Sequence, residues 1–267
     1  MTDQIKSDFN YKMTIAYDGT AYSGWQIQPN GISIQAQIEE AIKIIVRKDV
    51  KVIGSGRTDA GVHALGQIAH FHCDRDLDLY RFLGSVNGIL PRDIRVKSIE
   101  EMPLNFHAQR SALGKVYHYH LYLENVQNPF NRLYSYHVHD KMDLELLRKA
   151  ALLFIGSHDF TSFANEAHTG AAYSNPIRNL KRLDIVYEQG GLRLEFEGDG
   201  FLYKMVRNIV GTLLEVAKGK RPISDIEAIF QAKDRKKAGM AAPPHGLFLV
   251  EVYYGIVAPS GMSSKDE

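Results

Sequence analysis

A carboxylate set beside an arginine in a glycine-rich connection can act as a nucleophile or as a base. Residues 54–67, GSGRTDAGVHALGQ, hold such a unit: Asp59 follows Arg57 and Thr58 and is enclosed by Gly56 and Gly61. The glycines leave room for a ligand to approach the backbone, and a cation nearby keeps a carboxylate ionised and competent for attack. The same residues admit a structural reading. Gly56 and Gly61 could take unusual dihedrals in a tight turn, with Asp59 capping a helix that starts at Ala60. From the residues alone both readings stay open.

Other chemistry-bearing residues are less pointed. His70/His72, His118/His120 and His137/His139 are each two apart on expected strands, so each pair shares a sheet face that a metal could use. No Asp/Glu cluster travels with them, and three separate pairs make an odd metal design. They are read as lining a polar sheet face, a surface that also suits RNA. No serine sits in a G-x-S-x-G elbow. Cys73, the single cysteine, lies in an apparent strand and cannot form an intrachain disulfide.

These residues must be carried by a chain of ordinary globular composition. It has 267 residues, 45% hydrophobic and 24% charged, enough for one large domain or two modest ones. No apolar run reaches transmembrane length, and the N-terminus lacks the apolar centre of a signal peptide. A reducing, cytoplasmic setting is expected. Net charge is +1, so any binding of phosphate depends on where the basic residues are placed, not on their sum.

The first half reads β-α-β-β-α-β. Strands are expected at 11–17, 51–54, 67–73 and 93–102, and helices at 33–46, with Ser33 as N-cap, and 77–90. In the second half a strand is expected over 115–123, with 132–139 as its partner, then a helix over 143–156. A hairpin turning at Gly190-Gly191 follows, then a buried helix over 201–219 and a last strand over 246–254. The pattern is α+β (α/β): two related halves with a largely antiparallel sheet and helices on one face.

The loop and five further segments resemble one family. GRTDAGVHA is similar to the catalytic motif of the TruA family of tRNA pseudouridine synthases. YDGTAYSGWQIQ (17–28), FHAQRSALGKVYHY (106–119), DFTSF (159–163), FLYKMVRNIVG (201–211) and APPHGLFL (242–249) follow in that family's order. The resemblance implies the pseudouridine synthase fold, two ferredoxin-like halves over 1–104 and 105–258 that join their sheets around a central cleft; the small, polar residues at 259–267 are expected to form a disordered tail. It implies a homodimer that isomerises uridine to pseudouridine at positions 38, 39 and 40 of the tRNA anticodon arm, with no metal, no organic cofactor and no membrane. It assigns Asp59 as the catalytic aspartate, Tyr117 as the substrate-contacting tyrosine and Arg207 as the basic partner of Asp59. Arg57 and Thr58 become candidates for positioning the flipped nucleotide, and Lys204 for a phosphate contact. The chain departs from the family pattern at Gln109, at Lys115 (where arginine is frequent), and in the stretch after DFTSF, which is poor in basic residues. These departures bear on RNA contacts and leave the chemistry untouched.

Overall fold

The computed structural model describes residues 8–165 and 175–255. The chain divides into two compact units, the first holding 8–113 and 251–255 of the described residues, the second 114–250. The division thus falls after Leu113 instead of after residue 104. It also returns the end of the last strand to the first unit.

The first unit runs β1 (Phe9–Tyr17), α1 (Ile34–Val46), β2 (Ile53–Gly54), β3 (His63–Cys73), α2 (Leu79–Ile89) and β4 (Ile94–Met102). β1 lies between β3 and β4, antiparallel to both, and β2 pairs with β3. The order β4-β1-β3-β2 is that of a ferredoxin-like half. Period-two burial sends Tyr11, Met13, Ile15 and Tyr17 of β1 to one face. α1 presents Ile34, Ile38, Ala41, Ile42 and Val46, and each large apolar side chain so buried contributes about 1.5–3 kcal/mol. Ser33 caps α1 by accepting from the Ala36 amide, and Asp78 caps α2 by accepting from that of Arg81.

The second unit takes up β5 (Ala112–Tyr122) from residue 114 and runs through β6 (Tyr136–His137), α3 (Leu144–Leu152), β7 (Gly156–Asp159), β8 (Ile177–Glu188), β9 (Gly191–Gly198), α4 (Met205–Ala217) and α5 (Asp225–Ala232), and its residues 247–250 begin β10 (Leu247–Tyr254). β9 pairs antiparallel with β5 and β8, and β8 with β7. α3 packs on α4. α4 is buried nearly all round, including Asn208 and Thr212. Their polar atoms are satisfied: Asn208 Nδ2 donates to the Phe163 carbonyl at 2.8 Å, and Thr212 Oγ1 takes the Gly239 amide at 2.9 Å.

Several expected elements are corrected. The partner strand at 132–139 shrinks to Tyr136–His137 and pairs parallel, because residues 128–134 coil through turns closed at Asn131 and Tyr134. The helix after Asp143 stops at Leu152, and β7 follows. The hairpin turns at Gln189-Gly190, with Gly191 already paired to Glu188. The helix expected from 201 begins at Met205, because Lys204 adopts a left-handed backbone with φ of 59°. β3 begins at His63, inside the stretch taken for a connection, and no helix starts at Ala60.

Candidate active site

The loop that carries Asp59 is fixed from beneath. Ser55 donates its amide to the Ile68 carbonyl at 2.7 Å and its hydroxyl to Gln67 Oε1 at 2.7 Å. Gln67 Nε2 returns a bond to the Gly56 carbonyl at 2.9 Å. Tyr17 and Thr58 join hydroxyl to hydroxyl at 2.8 Å, and the Trp25 amide donates to the Thr58 carbonyl at 3.1 Å. The Val62 amide closes a turn onto the Asp59 carbonyl at 3.1 Å, with Gly61 at φ of 76°. Gly61 therefore takes the positive φ expected of it. Gly56 is not among the glycines that do.

A register shift where β1 meets β3 supports this arrangement. Ile15 faces Gln67, but Tyr17 faces Ala64, so β3 carries one extra residue over that step. Such a bulge re-aims side chains at a strand end. Here it lets Tyr17 and Gln67 both reach the loop. Tyr17 is buried, and burial pushes its hydroxyl up to about 12, against the opposing bonds from Thr58 and Gln67. It stays a neutral donor and acceptor. Gly24 makes the remaining contact: at φ of 96°, a Cβ there would stand 2.5 Å from the Thr58 carbonyl oxygen.

The result alternates. Arg57 points out and is exposed, Thr58 is buried, and Asp59 is half-buried between them and Gly61.

The second unit holds Tyr117, Lys204 and Arg207. Tyr117 lies on β5, buried, its ring meeting that of Phe201 edge-on at 5.0 Å. Lys204 precedes α4 and sets its ammonium 5.1 Å over the Tyr203 ring. Arg207 sits in the first turn of α4. Its Nε donates to the Ala242 carbonyl at 2.7 Å, and the Ala242 amide donates to the Arg207 carbonyl at 2.9 Å. Its charge reaches Tyr119 and His245. Tyr119 is raised well above its ordinary value by burial, partly offset by Arg207. His245 is lowered by burial and, less, by Arg207. Tyr119 also donates to the Pro243 carbonyl at 2.7 Å. Segments 115–119, 201–211 and 242–249, far apart in the chain, thus form one neighbourhood in this unit.

DFTSF (159–163) has a different position. Ser162 donates to the Ile229 carbonyl at 2.5 Å, Asp159 accepts from Thr161, and the Phe163 carbonyl takes Asn208 of α4. This segment supports α4. The stretch after it, 166–174, lies outside the described residues, as does 259–267. The histidine pairs have partners of their own. His70 Nδ1 accepts the Ala108 amide, His120 bonds Glu188, and His137 meets the Glu124 carbonyl. Among the described residues no group of three or more His, Cys, Asp or Glu could hold a metal ion, and no helix is long and apolar enough to cross a membrane.

Tyr17, Trp25, Gln67 and Phe201 were not singled out from sequence. Tyr17 and Trp25 stand in YDGTAYSGWQIQ and Phe201 opens FLYKMVRNIVG, so the resemblance pointed at their neighbourhoods without giving them roles.

Known proteins align over these same features. The tRNA pseudouridine synthase family profile matches residues 13–109 and 150–255. A protein of Protochlamydia amoebophila named tRNA pseudouridine synthase A 1 is 62% identical over 245 residues, covering 91% of this chain and 96% of its own. A tRNA pseudouridine synthase A of Chlamydia muridarum is 45% identical, covering 91% of each chain, and one of Exiguobacterium sp. is 45% identical, covering 91% and 97%. Matched at this level from the strand beneath the Asp59 loop to the last strand, the chain belongs to the tRNA pseudouridine synthase family, a family of isomerases.

Proposed function

We propose that this protein isomerises uridine to pseudouridine at positions 38, 39 and 40 of the tRNA anticodon arm, with Asp59 as the nucleophile. Family membership supports the coarse reading, a uridine of tRNA as substrate. The observation that carries the assignment of Asp59 is the build of its loop. A chain whose loop served only as a connection has no need of a buried Tyr17–Thr58–Gln67 network to hold one carboxylate half-exposed.

In this reading the uridine is flipped from its stack, at a cost of a few kcal/mol. Asp59 attacks the nucleotide, or assists as the N1–C1′ bond breaks. The freed uracil turns and C5 bonds to C1′, any bond that the Asp59 carboxylate had formed to the nucleotide breaks and returns its electron pair to the carboxylate, the C5 proton leaves and N1 regains a proton, so atoms and charge balance with no co-reactant. Tyr117 stacks on the base and its hydroxyl serves proton transfer. Arg207 is the cation assigned to the Asp59 carboxylate. Its Nε donates to the Ala242 carbonyl, and a guanidinium suits the paired contact that carboxylates favour. Arg57, exposed beside Asp59, and Lys204 are assigned to the RNA backbone. Thr58, with hydroxyl and carbonyl both engaged, acts on the nucleotide by aiming its neighbours. The working form is assigned as a cytoplasmic homodimer that needs no metal and no organic cofactor.

The test is direct. The protein is incubated with unmodified tRNA and pseudouridine is mapped in the anticodon arm. Product at 38–40 with wild type and none with Asp59→Ala is expected. Product that survives Asp59→Ala overturns the assigned nucleophile. Free uracil in place of pseudouridine overturns the isomerase reading in favour of a nucleosidase.

A further inference from the structure

Two basic residues of the second unit, neither of them among the residues assigned above, stand on one sheet face across strands that carry glycine between them. Lys115 of β5 is paired with Gly198 of β9, and Gly198 with Leu180 of β8. Paired residues of antiparallel strands point to one face, as do residues two apart in a strand. Lys115, Tyr117, Leu180 and Arg178 therefore share a face. Gly198 and Gly200 put no side chain on the floor between them. A Cβ at Gly198 would lie 3.2 Å from the Phe201 ring, and one at Gly200 would lie 3.3 Å from Arg178 Nε. The glycines are thus what admits Phe201, the ring partner of Tyr117, and the Arg178 guanidinium to this surface.

Arg178 is held but not spent. Its Nη1 donates to the carbonyls of Asn175 at 2.8 Å and Ile177 at 2.6 Å, while Nε and Nη2 make no hydrogen bond to any described residue. Asp199 is the carboxylate whose charge acts on it, and its Oδ1 already takes the Asn179 amide at 3.0 Å. Lys115 and Arg178 both keep partial exposure, so an anion can reach them. Two cations side by side in a partly desolvated place repel one another and lose hydration, and an anion between them reverses both penalties.

We propose that Lys115 and Arg178 together bind a phosphodiester of the RNA strand, beside the Tyr117–Phe201 ring pair that receives the base; this rests on the synthase reading above. The pair supplies a point charge and a planar fork, a combination suited to phosphate. The titration of Lys115 agrees: burial, and after it the charge of Arg178, push its ammonium down to about 8, the direction a neighbouring anion would undo. The site also gives a use to Lys115 at a position where arginine is the frequent residue.

The experiment measures Kd for an anticodon stem-loop RNA against salt, with the full-length wild type, Lys115→Gln, Arg178→Gln and Lys115→Arg. Loss of one phosphate contact lowers the slope of log Kd against log salt by about 0.7–0.9, about a threefold smaller loss of affinity between roughly 50 and 200 mM salt. Both Gln variants are expected to show this, and Lys115→Arg to keep the wild-type slope. A single uncharged methylphosphonate is then walked through the phosphates flanking the target uridine. At one position it should weaken wild type but add nothing to the Gln variants. Unchanged slopes in folded Gln variants, or fully additive losses at every position, overturn the proposal. Thermal melting of each variant checks folding. Pseudouridine formation by wild type is scored separately, so failure of the synthase reading and failure of the phosphate site give different results.

Discussion

The hydroxyls of Tyr17 and Thr58 meet at 2.8 Å inside the first unit, one residue before Asp59. Tyr17 ends the strand β1 and Thr58 stands 41 residues later, so the bond ties the loop to the sheet. It is also buried, and removing one partner leaves the other hydroxyl unsatisfied. Tyr17→Phe should therefore cost about 1–3 kcal/mol of stability. It should also lower kcat more than it raises KM, because the loop that aims Asp59 loses a support. Thr58→Val in the Tyr17→Phe background removes the orphaned hydroxyl. The double variant should then lose less than the sum of the singles, by urea unfolding. Strictly additive losses would falsify the coupling.

Gly24 meets the same loop from the other side. Its φ of 96° and the 2.5 Å approach of the Thr58 carbonyl to any Cβ leave no room for a side chain. Gly24→Ala should destabilise by about 2 kcal/mol or more, a fall in Tm of about 4 °C or more. The contrast is Gly84, exposed inside α2 with nothing near its missing Cβ. Gly84→Ala should stabilise by about 0.5–1 kcal/mol. Equal melting shifts for the two would show that close approach at Gly24 is unimportant.

The contrast between legible and illegible features follows the range of the interaction that makes them. Ser33 and the isoleucine stripe of α1 were readable because a cap and a 3.6-residue period are local. The two strands flanking Asp59 were readable for the same reason. The start of α4 was not, since Lys204 takes a left-handed backbone that no residue type announces. Nor was the support of the loop. Tyr17, Gln67 and Thr58 are joined by hydrogen bonds between distant segments, and periodicity carries no signal of such a bond. Arg178 and Lys115 illustrate the same limit: only the register of β5, β9 and β8 puts them on one face.

His70 gives the fold a dependence on acid. It is 1% exposed, its Nδ1 accepts the Ala108 amide at 3.1 Å, and its other nitrogen meets the Ile53 carbonyl. Burial first, then the neighbouring His107 and His72, lower it from 6.5 to about 4. The unfolded chain binds the proton at higher pH than the folded one, so stability falls as pH drops from about 6.5 towards 4. The slope is up to about 1.4 kcal/mol per pH unit from this group. Urea unfolding at pH 7 and pH 5 should show the loss, and His70→Gln should remove part of it, the rest coming from groups such as His118, which burial also lowers to about 4. A His70→Gln curve parallel to wild type between those values would assign the acid sensitivity elsewhere.

Tyr117 allows its two proposed duties to be separated. Its ring lies edge-on to Phe201 at 5.0 Å, a contact that a phenyl ring at this position can keep. Tyr117→Phe keeps that geometry and removes only the group assigned to proton transfer. Its KM for tRNA should stay within a few-fold of wild type while kcat falls by about 10²–10⁴, the range general acid–base groups contribute. Tyr117→Leu removes the stacking face as well and should raise KM, since base–aromatic stacking is worth about 1–3 kcal/mol. Phe201→Leu, which takes away the neighbour that sets the ring, should raise KM less than Tyr117→Leu does. If Tyr117→Phe turns over at the wild-type rate, the hydroxyl has no part in proton transfer and the residue serves the base by stacking alone.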